Sequence, residues 1–568
     1  MSTRVTNRHL ILVGILLCVI CLAYFYLLDN WIFSSRGFSP IFQLLVAVYD
    51  AKAAWLCVAV SLLAAFSIRP APILKLVDFL GSHPVAVAVA SIILLSLGTI
   101  FIYHDYPLCM DEYAPIFQSK VFASGHLAAH FPAQLVDRLI VPGFNGVFMI
   151  ASAHSGQVIE AYWPGFALLL APFQKLGIPW LCNPILAGIG LFFIYRITFE
   201  ITRDRRAGGF ALLFAVASGA FVANAISFYS MQAHLTANLV FAWLLMSPTR
   251  RRALAAGLVG SVALVLHNPL PHALFAFPWL VALVWEKSQR KFLAPLILGY
   301  LPISIIAGVG WLLLRMKIGA DIPHAALTDS ALAAIFRWPD AVMLNMRAAA
   351  LAIMWVWAVP CLFLFAFVGR LRQAGNRHVR LLTHSAVLTF LGYLFVNLDQ
   401  GHGWGYRYFH SAWGVVPILA GCAMTGRSES QDRLPAFAGA AAILSLLIIV
   451  PFQMWQIDGF ITRHLAQLPP ALRPGNDVYL IRPGASFYMA DMIQSDPNLR
   501  SRDLLLVSRG AKADAAFVGR YWPGAVRVSG GYWGEQWYLG ARDRRVPAAG
   551  GTASKHFIFA GTPLTRSR

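Results

Sequence analysis

Charged residues are scarce in this chain. Only 12% of its 568 residues are Asp, Glu, Lys or Arg, whereas soluble domains carry about 25%. Hydrophobic residues make up 58% of the sequence and the mean hydropathy is +0.64. Many apolar runs reach about 20 residues, the length that spans a bilayer. The composition excludes an ordinary soluble domain and predicts a polytopic membrane protein.

Acidic residues are also few, and the formal net charge is +20. The arginines occur in short clusters between apolar runs, without the basic stripe or recognised module of a nucleic-acid-binding protein. Membrane topology therefore explains the charge better, and we expect no nucleic-acid partner.

Cysteines and the common catalytic motifs are sparse as well. The seven cysteines suggest no disulfide framework. Cys18-x-x-Cys21 has metal or redox spacing, but it lies within an apolar run without a second pair, so we interpret both residues as packing groups. The sequence has no Walker loop, Rossmann fingerprint, His-Glu-x-x-His or Gly-x-Ser-x-Gly.

The apolar runs predict about thirteen membrane spans, with boundaries good to about 2–4 residues. The spans are 10–28, 41–66, 84–103, 180–198, 207–227, 234–247, 253–268, 270–285, 292–314, 350–368, 381–397, 411–425 and 434–455. The first run follows Arg4 and Arg8 and lacks a small-residue cleavage site, which predicts a retained signal-anchor helix.

The basic clusters predict the topology of these spans. If the N-terminus is cytoplasmic, every loop rich in arginine or lysine is cytoplasmic too, in agreement with the positive-inside rule. The loops that contain carboxylates, histidines and glycines then all lie on the external face of a bacterial-type inner membrane. We expect the segment after the last span to be external as well.

The chain divides into three predicted domains: N-terminal transmembrane helices at 1–83, a transmembrane domain at 84–455 with a large external loop at 104–179, and a small external α/β domain at 456–568. In the loop, Tyr113–Ser124 and Ala167–Leu176 have the spacing of amphipathic helices. In the last domain the sequence predicts strands at 477–481, 503–507 and 556–559, and a helix over Phe487–Gln494.

Three carboxylates follow the third span directly. Asp105, Asp111 and Glu112 fall within eight positions, where charge is costly unless it faces water, protein or a substrate. A partly desolvated carboxylate can act as a general base. An acidic residue that begins a helix is equally well explained as a cap, so these residues alone leave both interpretations open.

Other external loops carry further candidate side chains. The stretch 399–410 combines three glycines with Tyr406 and Arg407, a forked donor suited to phosphate, although an interfacial aromatic belt would also contain tyrosine and arginine. His267 and His272 flank a break between two short runs, which a capped turn explains as well. The remaining candidates are Glu160, Tyr162, Lys120, Arg138, Arg337 and Arg347.

Four motifs in order resemble the GT-C glycosyltransferases, in particular the protein O-mannosyltransferase and lipid A aminoarabinose transferase branch. They are Asp111-Glu112 followed by Gln118, Lys120 and Gly125; Tyr162-Trp163-Pro164-Gly165; His267-Asn268-Pro269 with Ala273-Leu274; and Gly405-Tyr406-Arg407-Tyr408. The chain departs from the family pattern at His267-Asn268, which replaces an arginine, at Tyr406, which replaces a proline, and in having more spans before the acidic loop than the family usually has.

The resemblance implies a GT-C-like catalytic domain that transfers a sugar from a polyprenyl-phosphate donor to an acceptor hydroxyl on a glycan, lipid or protein. Asp111 would be the base, and Glu112 would orient the acceptor or a cation. Lys120, Arg407 and one of His267 and His272 would hold the donor phosphate, with Tyr162, Tyr406 and Arg138 as further binding residues. No cofactor is certain, and a divalent cation is a candidate. The alternatives are a lipid or glycan transporter and a non-catalytic partner in glycan assembly.

Overall fold

The computed structural model describes residues 7–28, 40–66, 70–321, 338–396, 400–425, 433–471, 477–499 and 503–539. The chain forms two compact units. The first unit comprises Met1–Asp105, Trp180–Ile306 and Leu332–Asp458, and the second comprises Tyr106–Pro179, Ala307–Ala331 and Gly459–Arg568. The division into domains at 1–83, 84–455 and 456–568 stays a prediction.

Most described elements are apolar helices. Among the described residues, six helices are long and apolar enough to cross a membrane, and a pair bent by 63° would make a seventh. The six are Arg8–Leu27, Pro40–Phe66, Pro84–Phe101, Pro179–Thr202, Arg290–Ile318 and Arg433–Leu465, and the bent pair is Arg205–Val216 with Gly219–Ile226. Shorter apolar helices are Gly165–Leu176, Met231–Met246, Leu270–Trp285 and Ala341–Val356. The multi-pass prediction agrees with these helices, while the number of thirteen spans stays a prediction.

The first unit contains further helices at Pro70–Ser82, Arg250–Leu264, Leu362–Arg372, Arg377–Gly392, His410–Trp413 and Val415–Cys422. The predicted continuous span at 350–368 is wrong, because one helix ends at Val356 and the next begins at Leu362. Pro360 cannot donate a backbone hydrogen bond, and Cys361 adopts φ +68°. An apolar run alone does not reveal such a break.

The second unit is built around helix Met110–Ala123, hereafter the acidic helix. Its other elements in the large loop are helices Ala133–Leu139 and Gly165–Leu176 and strands β1 (Ala129–His130), β2 (Met149–Ala151) and β3 (Gln157–Glu160). The strands form an antiparallel sheet in the order β1-β3-β2. The predicted helix at Tyr113–Ser124 therefore exists as part of Met110–Ala123. Ten of the fourteen residues of that helix are buried in the protein, so it does not lie half-immersed at an interface as an amphipathic helix would.

A second sheet lies in the C-terminal segment. Its strands are β4 (Asp477–Ile481), β5 (Asp503–Val507), β6 (Val526–Gly531) and β7 (Gly534–Tyr538), and helix Ala511–Tyr521 follows β5. The strand order is β5-β4-β7-β6, with β4 and β5 parallel. The predicted helix over Phe487–Gln494 is wrong in extent, since only the 3₁₀ turn Met489–Met492 forms. The predicted strand at 556–559 lies outside the described residues.

The two sheets of the second unit share a hydrophobic core with the acidic helix. Phe117 and Val121 of the helix, Leu135 of the next helix, and Val478 and Leu506 of the C-terminal sheet are all buried in one cluster. Residues far apart in sequence thus hold the acidic helix in place. The first turn of this helix, which carries Asp111 and Glu112, is fixed by packing as well as by local sequence.

Candidate active site

Two carboxylates cap the start of the acidic helix from outside its own backbone. The Glu112 side chain reaches back and accepts a hydrogen bond of 2.9 Å from the Leu108 amide. The Asp491 carboxylate accepts one of 2.8 Å from the Met110 amide. Helix-initial amides lack partners within the helix, and its positive dipole end favours negative charge. The first turn is therefore capped, and the helix dipole stabilises the carboxylates that it carries.

Glu112 and Asp111 are adjacent in sequence but differ in environment. Glu112 is fully buried and uses one carboxylate oxygen on the Leu108 amide. Asp111 is partly exposed. A proton acceptor must reach its substrate, so the geometry favours Asp111 over Glu112 as the group that could act on a hydroxyl. The hydrogen bond that Glu112 accepts from the Leu108 amide instead positions the first turn of the acidic helix.

Tyr162 holds the Asp111 carboxylate. Its phenol donates a short hydrogen bond to Asp111 Oδ1. The Tyr162 carbonyl in turn accepts a hydrogen bond of 2.7 Å from Trp311 Nε1, which fixes the backbone at this position. A carboxylate oriented in this way loses little freedom when it binds a substrate. Asp111 and Tyr162, which the sequence assigned to one site, are thus in contact.

Asp491 is a carboxylate that sequence reasoning missed. Burial raises its pKa to about 7, and the negative charge of Asp111 adds to the effect, while the hydrogen bond from the Met110 amide opposes it. It follows Asp111 by 380 positions. No local pattern around residue 491 could have placed it beside the acidic helix, because the pairing depends on how the C-terminal segment packs.

Asp491→Asn is expected to stabilise the protein increasingly as the pH rises from about 4 to about 7. Between the ordinary pKa of 3.8 and the raised value of about 7, the folded chain binds a proton that the unfolded chain has lost. The contribution of Asp491 to the free energy of unfolding therefore decreases as the pH rises through this window. Asparagine does not titrate, so the variant lacks this decrease. Melting temperatures of the detergent-solubilised protein at pH 5 to 8 test this. The exposed Asp137→Asn variant should track the wild type, and equal pH slopes for all three proteins would contradict the assignment.

Lys120 and Arg138 also lie in the second unit, where both meet carboxylates. Lys120 Nζ lies 3.6 Å from Asp496 and is partly exposed. Arg138 is buried, lies 2.5 Å from Asp514, and donates to the carbonyls of Val507 and Ala513. The contacts of Arg138 tie a loop helix to the C-terminal sheet. Its predicted role in substrate binding stays a prediction, and these contacts give it a structural one.

Glu160 is a further buried carboxyl of the second unit. It is completely inaccessible, its two carboxyl oxygens have no hydrogen-bond partner, and its amide donates to Gln118 at 3.1 Å. Burial raises the pKa of Glu160 well above its usual range, and the charge of Arg315 only partly offsets this. Burial thus favours the protonated form of this carboxyl, and a completely inaccessible group cannot reach a substrate in this conformation.

In the first unit, the glycine-rich loop folds around the side chain of Gln400. The side-chain nitrogen of Gln400 donates a hydrogen bond of 2.7 Å to the Gly405 carbonyl. Its side-chain oxygen accepts one of 3.0 Å from the backbone amide of Arg407. Gly403 adopts φ +150°, and a Cβ there would lie 2.7 Å from Arg407 Cδ. Glycine is therefore required at 403 for the loop to close on the arginine.

Arg407 belongs to a buried cluster of arginine and tyrosine. Its guanidinium lies 4.7 Å from the centre of the Tyr229 ring and donates to the Gln400 carbonyl. A second buried guanidinium, that of Arg347, donates to the Tyr406 hydroxyl at 2.9 Å and lies 5.8 Å from the Tyr408 ring. Two desolvated cations among aromatic rings are suited to an anionic group. The importance of Arg347 could not be ranked from sequence, where it was one of several external cations.

The two predicted histidines have different surroundings. His272 is buried, with its ring nitrogens 2.7 Å from Asn238 Oδ1 and 2.7 Å from the Tyr300 hydroxyl. His267 is partly exposed at the break between helices Arg250–Leu264 and Leu270–Trp285. Both ring nitrogens of His272 are thus occupied, which leaves it no free nitrogen for a phosphate. Among the described residues, no three His, Cys, Asp or Glu side chains are grouped as metal ligands.

The predicted site residues therefore fall into two groups. Asp111, Glu112, Lys120, Arg138 and Tyr162 belong to the second unit, and His267, His272, Tyr406 and Arg407 belong to the first. Within the second unit the structure brings Asp111 and Tyr162 into contact and adds Asp491. Within the first unit it joins Tyr406 to Arg347 and places Arg407 against Tyr229.

Known structures share the fold of this chain, although no family model and no curated protein sequence matches it. The crystal structure of ArnT from Cupriavidus metallidurans bound to undecaprenyl phosphate is similar with a TM-score of 0.50 and 11% identity, over 82% of this chain and 99% of ArnT. The apo form of the same ArnT gives a TM-score of 0.48 and 12% identity, over 80% of this chain and 98% of ArnT. The undecaprenyl phosphate complex agrees with the resemblance that the sequence motifs indicated. The chain has the fold of ArnT.

Proposed function

We propose that this protein is an integral membrane glycosyltransferase that transfers a sugar from a polyprenyl-phosphate donor to an acceptor hydroxyl. The observation that carries the proposal is the partly exposed Asp111 carboxylate, oriented by Tyr162 at the start of a capped helix. The ArnT-like fold supports it, because the similar ArnT was crystallised with undecaprenyl phosphate.

In this proposal Asp111 acts as the general base. It accepts the proton of the acceptor hydroxyl while the oxygen attacks the anomeric carbon from the face opposite the phosphate. The bond between the sugar and the phosphate oxygen breaks, the configuration inverts, and polyprenyl phosphate leaves. A positioned base contributes about 10²–10⁴-fold to the rate of such a step.

The donor phosphate is assigned to the cationic side chains. Negative charge grows on the phosphate as the glycosidic bond breaks, so cations that contact it stabilise the transition state. Arg407 and Arg347 are desolvated and held by tyrosines, which strengthens their interaction with an anion. Lys120 remains a candidate because it is partly exposed beside Asp496. We leave out Arg138, whose charge is already paired with Asp514, and His272, both of whose ring nitrogens have hydrogen-bond partners.

The finer topology belongs to the same proposal. The clusters of arginine and lysine favour about thirteen spans, a cytoplasmic N-terminus and an external C-terminal segment in a bacterial-type inner membrane. A polyprenyl-linked donor fits this orientation, since nucleotide sugars are not supplied on the external face. The acceptor is a surface glycan, lipid or protein.

Mass analysis of polyprenyl-phosphate sugars and of surface glycans, lipids and proteins tests the function. Cells that lack the protein are expected to lose one sugar mass from an acceptor and to accumulate the corresponding lipid-linked donor, and the gene restored in trans should reverse both changes. Unchanged acceptors would contradict the proposal. A donor that accumulates only on the cytoplasmic face would support the transporter alternative.

A further inference from the structure

An apolar groove of about 300 Å³ runs along the first unit. It is formed by helices Ala341–Val356, Leu362–Arg372, Arg377–Gly392 and Val415–Cys422, and Phe409 also lines it. Helix Arg377–Gly392 lines it from Thr383 to Leu391, which corresponds to a length of about 12 Å at 1.5 Å per residue. Its walls are almost purely hydrocarbon, so an aqueous small molecule has nothing polar to bind along most of its length.

The groove opens outward rather than into the core. Four large apolar residues along it are strongly exposed: Leu351 by 53%, Phe367 by 60%, Val387 by 49% and Leu391 by 44%. Their helices belong to the apolar bundle, whose outer surface faces hydrocarbon when the protein spans a bilayer. The groove is therefore accessible to lipid chains from the side.

One cation is part of the groove's lining. It is Arg370, which stands near the C-terminal end of helix Leu362–Arg372. Neighbouring arginines are already bound, since Arg372 donates to the Ala423 carbonyl and Arg377 lies 2.9 Å from Glu286. Within the described ranges, no hydrogen bond or ion pair holds the guanidinium of Arg370.

We propose that this groove is a binding site for an anionic phospholipid, with one acyl chain along the apolar walls and the head-group phosphate on Arg370. An arginine fork binds phosphate through two parallel hydrogen bonds. The basic clusters predict that the end of helix Leu362–Arg372 that carries Arg370 is cytoplasmic, and the cytoplasmic leaflet is the one enriched in anionic lipids. Charge and apolar length thus fit one ligand class.

The position of Arg370 separates this site from the proposed donor site. A polyprenyl-phosphate donor would place its phosphate with Arg407 and Arg347, whose loops are predicted to be external. Arg370 lines the groove from the end of helix Leu362–Arg372 that leads into the basic cluster predicted to be cytoplasmic. The site can therefore be tested by binding alone, without any transfer assay.

Native mass spectrometry of the full-length protein in detergent micelles tests the proposal with dioleoyl phosphatidylglycerol and dioleoyl phosphatidylcholine. The wild type is expected to retain one phosphatidylglycerol and to bind it about fivefold or more tightly than phosphatidylcholine. Arg370→Gln should abolish this preference, Arg370→Lys should keep part of it, and Ala386→Trp, which fills the groove, should weaken the binding of both lipids.

Arg380→Gln is the matched control, because Arg380 is an exposed arginine of helix Arg377–Gly392, which borders the groove, but does not itself line it. It should keep the wild-type preference. An unchanged preference in Arg370→Gln would overturn the proposal, and so would displacement of phosphatidylglycerol by an equimolar amount of undecaprenyl phosphate. Melting temperatures identify a misfolded Ala386→Trp, in which case the two Arg370 variants decide.

Discussion

Asp111→Asn is expected to lower the rate of sugar transfer by about 100- to 10,000-fold and to leave the fold unchanged. Asparagine is isosteric with aspartate and can still accept the hydrogen bond from Tyr162, but it cannot take a proton from the acceptor hydroxyl. Transfer of the donor sugar in isolated membranes measures the rate. The loss should appear at saturating donor, because the base acts in the transition state and not in donor binding.

Two comparisons separate the role of Asp111 from a general effect of charge. Asp137→Asn removes an exposed carboxylate from the same unit and should transfer at the wild-type rate. Tyr162→Phe removes the hydrogen bond to Asp111 and should cause a smaller loss than Asp111→Asn, since the base remains. Wild-type transfer by a folded Asp111→Asn protein would exclude Asp111 as the base.

Arg138→Met is expected to destabilise the second unit by about 3–5 kcal/mol, the range for removing one partner of a buried ion pair. It leaves Asp514, whose side chain is 1% exposed, without its guanidinium. The Ser508 hydroxyl and the Arg509 amide, at 2.5 Å and 2.9 Å, remain as partners but do not neutralise the charge. Hydrogen exchange of peptides from β5 and helix Ala511–Tyr521 reports the free energy of local opening.

Arg509→Met provides the control for this second substitution. The backbone of Arg509 lies beside the same carboxylate, but its guanidinium makes an exposed hydrogen bond to the Asp137 carbonyl. Removing this guanidinium should therefore change the protection of these peptides from hydrogen exchange only little. The double variant Arg138→Met/Asp514→Leu should recover part of the loss, because it removes both buried charges. Equal protection from hydrogen exchange in the Arg138→Met variant and the wild type would show that the ion pair does not stabilise the second unit.

Local patterns predicted the general class of the site but not its contacts. Asp111 and Tyr162 were each identified from motifs with family spacing, and their contact agrees with that assignment. Asp491 was not singled out, because an aspartate in a polar segment looks ordinary in sequence. Arg347 was only one of several external cations, and nothing in the sequence ranked it above the others. A partner of Asp491 is the Met110 amide, 381 positions away, and a partner of Arg347 is the Tyr406 hydroxyl, 59 positions away. Burial rather than residue type gives Asp491 its raised pKa.

The prediction of helices was reliable where hydropathy alone determines the secondary structure. The runs at 10–28, 41–66 and 84–103 are helices, because an apolar segment of spanning length must satisfy its backbone internally. It failed at 350–368, where Pro360 and a left-handed Cys361 break the helix. A break of this kind depends on partners from other segments, such as Asp50, which accepts a hydrogen bond of 2.6 Å from Trp357 Nε1.

The sequence by itself determined that this is a helical membrane protein with an acidic loop after its third apolar run, since low charge, long apolar runs and clustered arginines permit no other class. Tertiary structure alone decided which carboxylate is exposed, which is buried as a cap, and which cations remain desolvated. Those properties depend on distance and dielectric surroundings. Neither is encoded in the type or spacing of neighbouring residues.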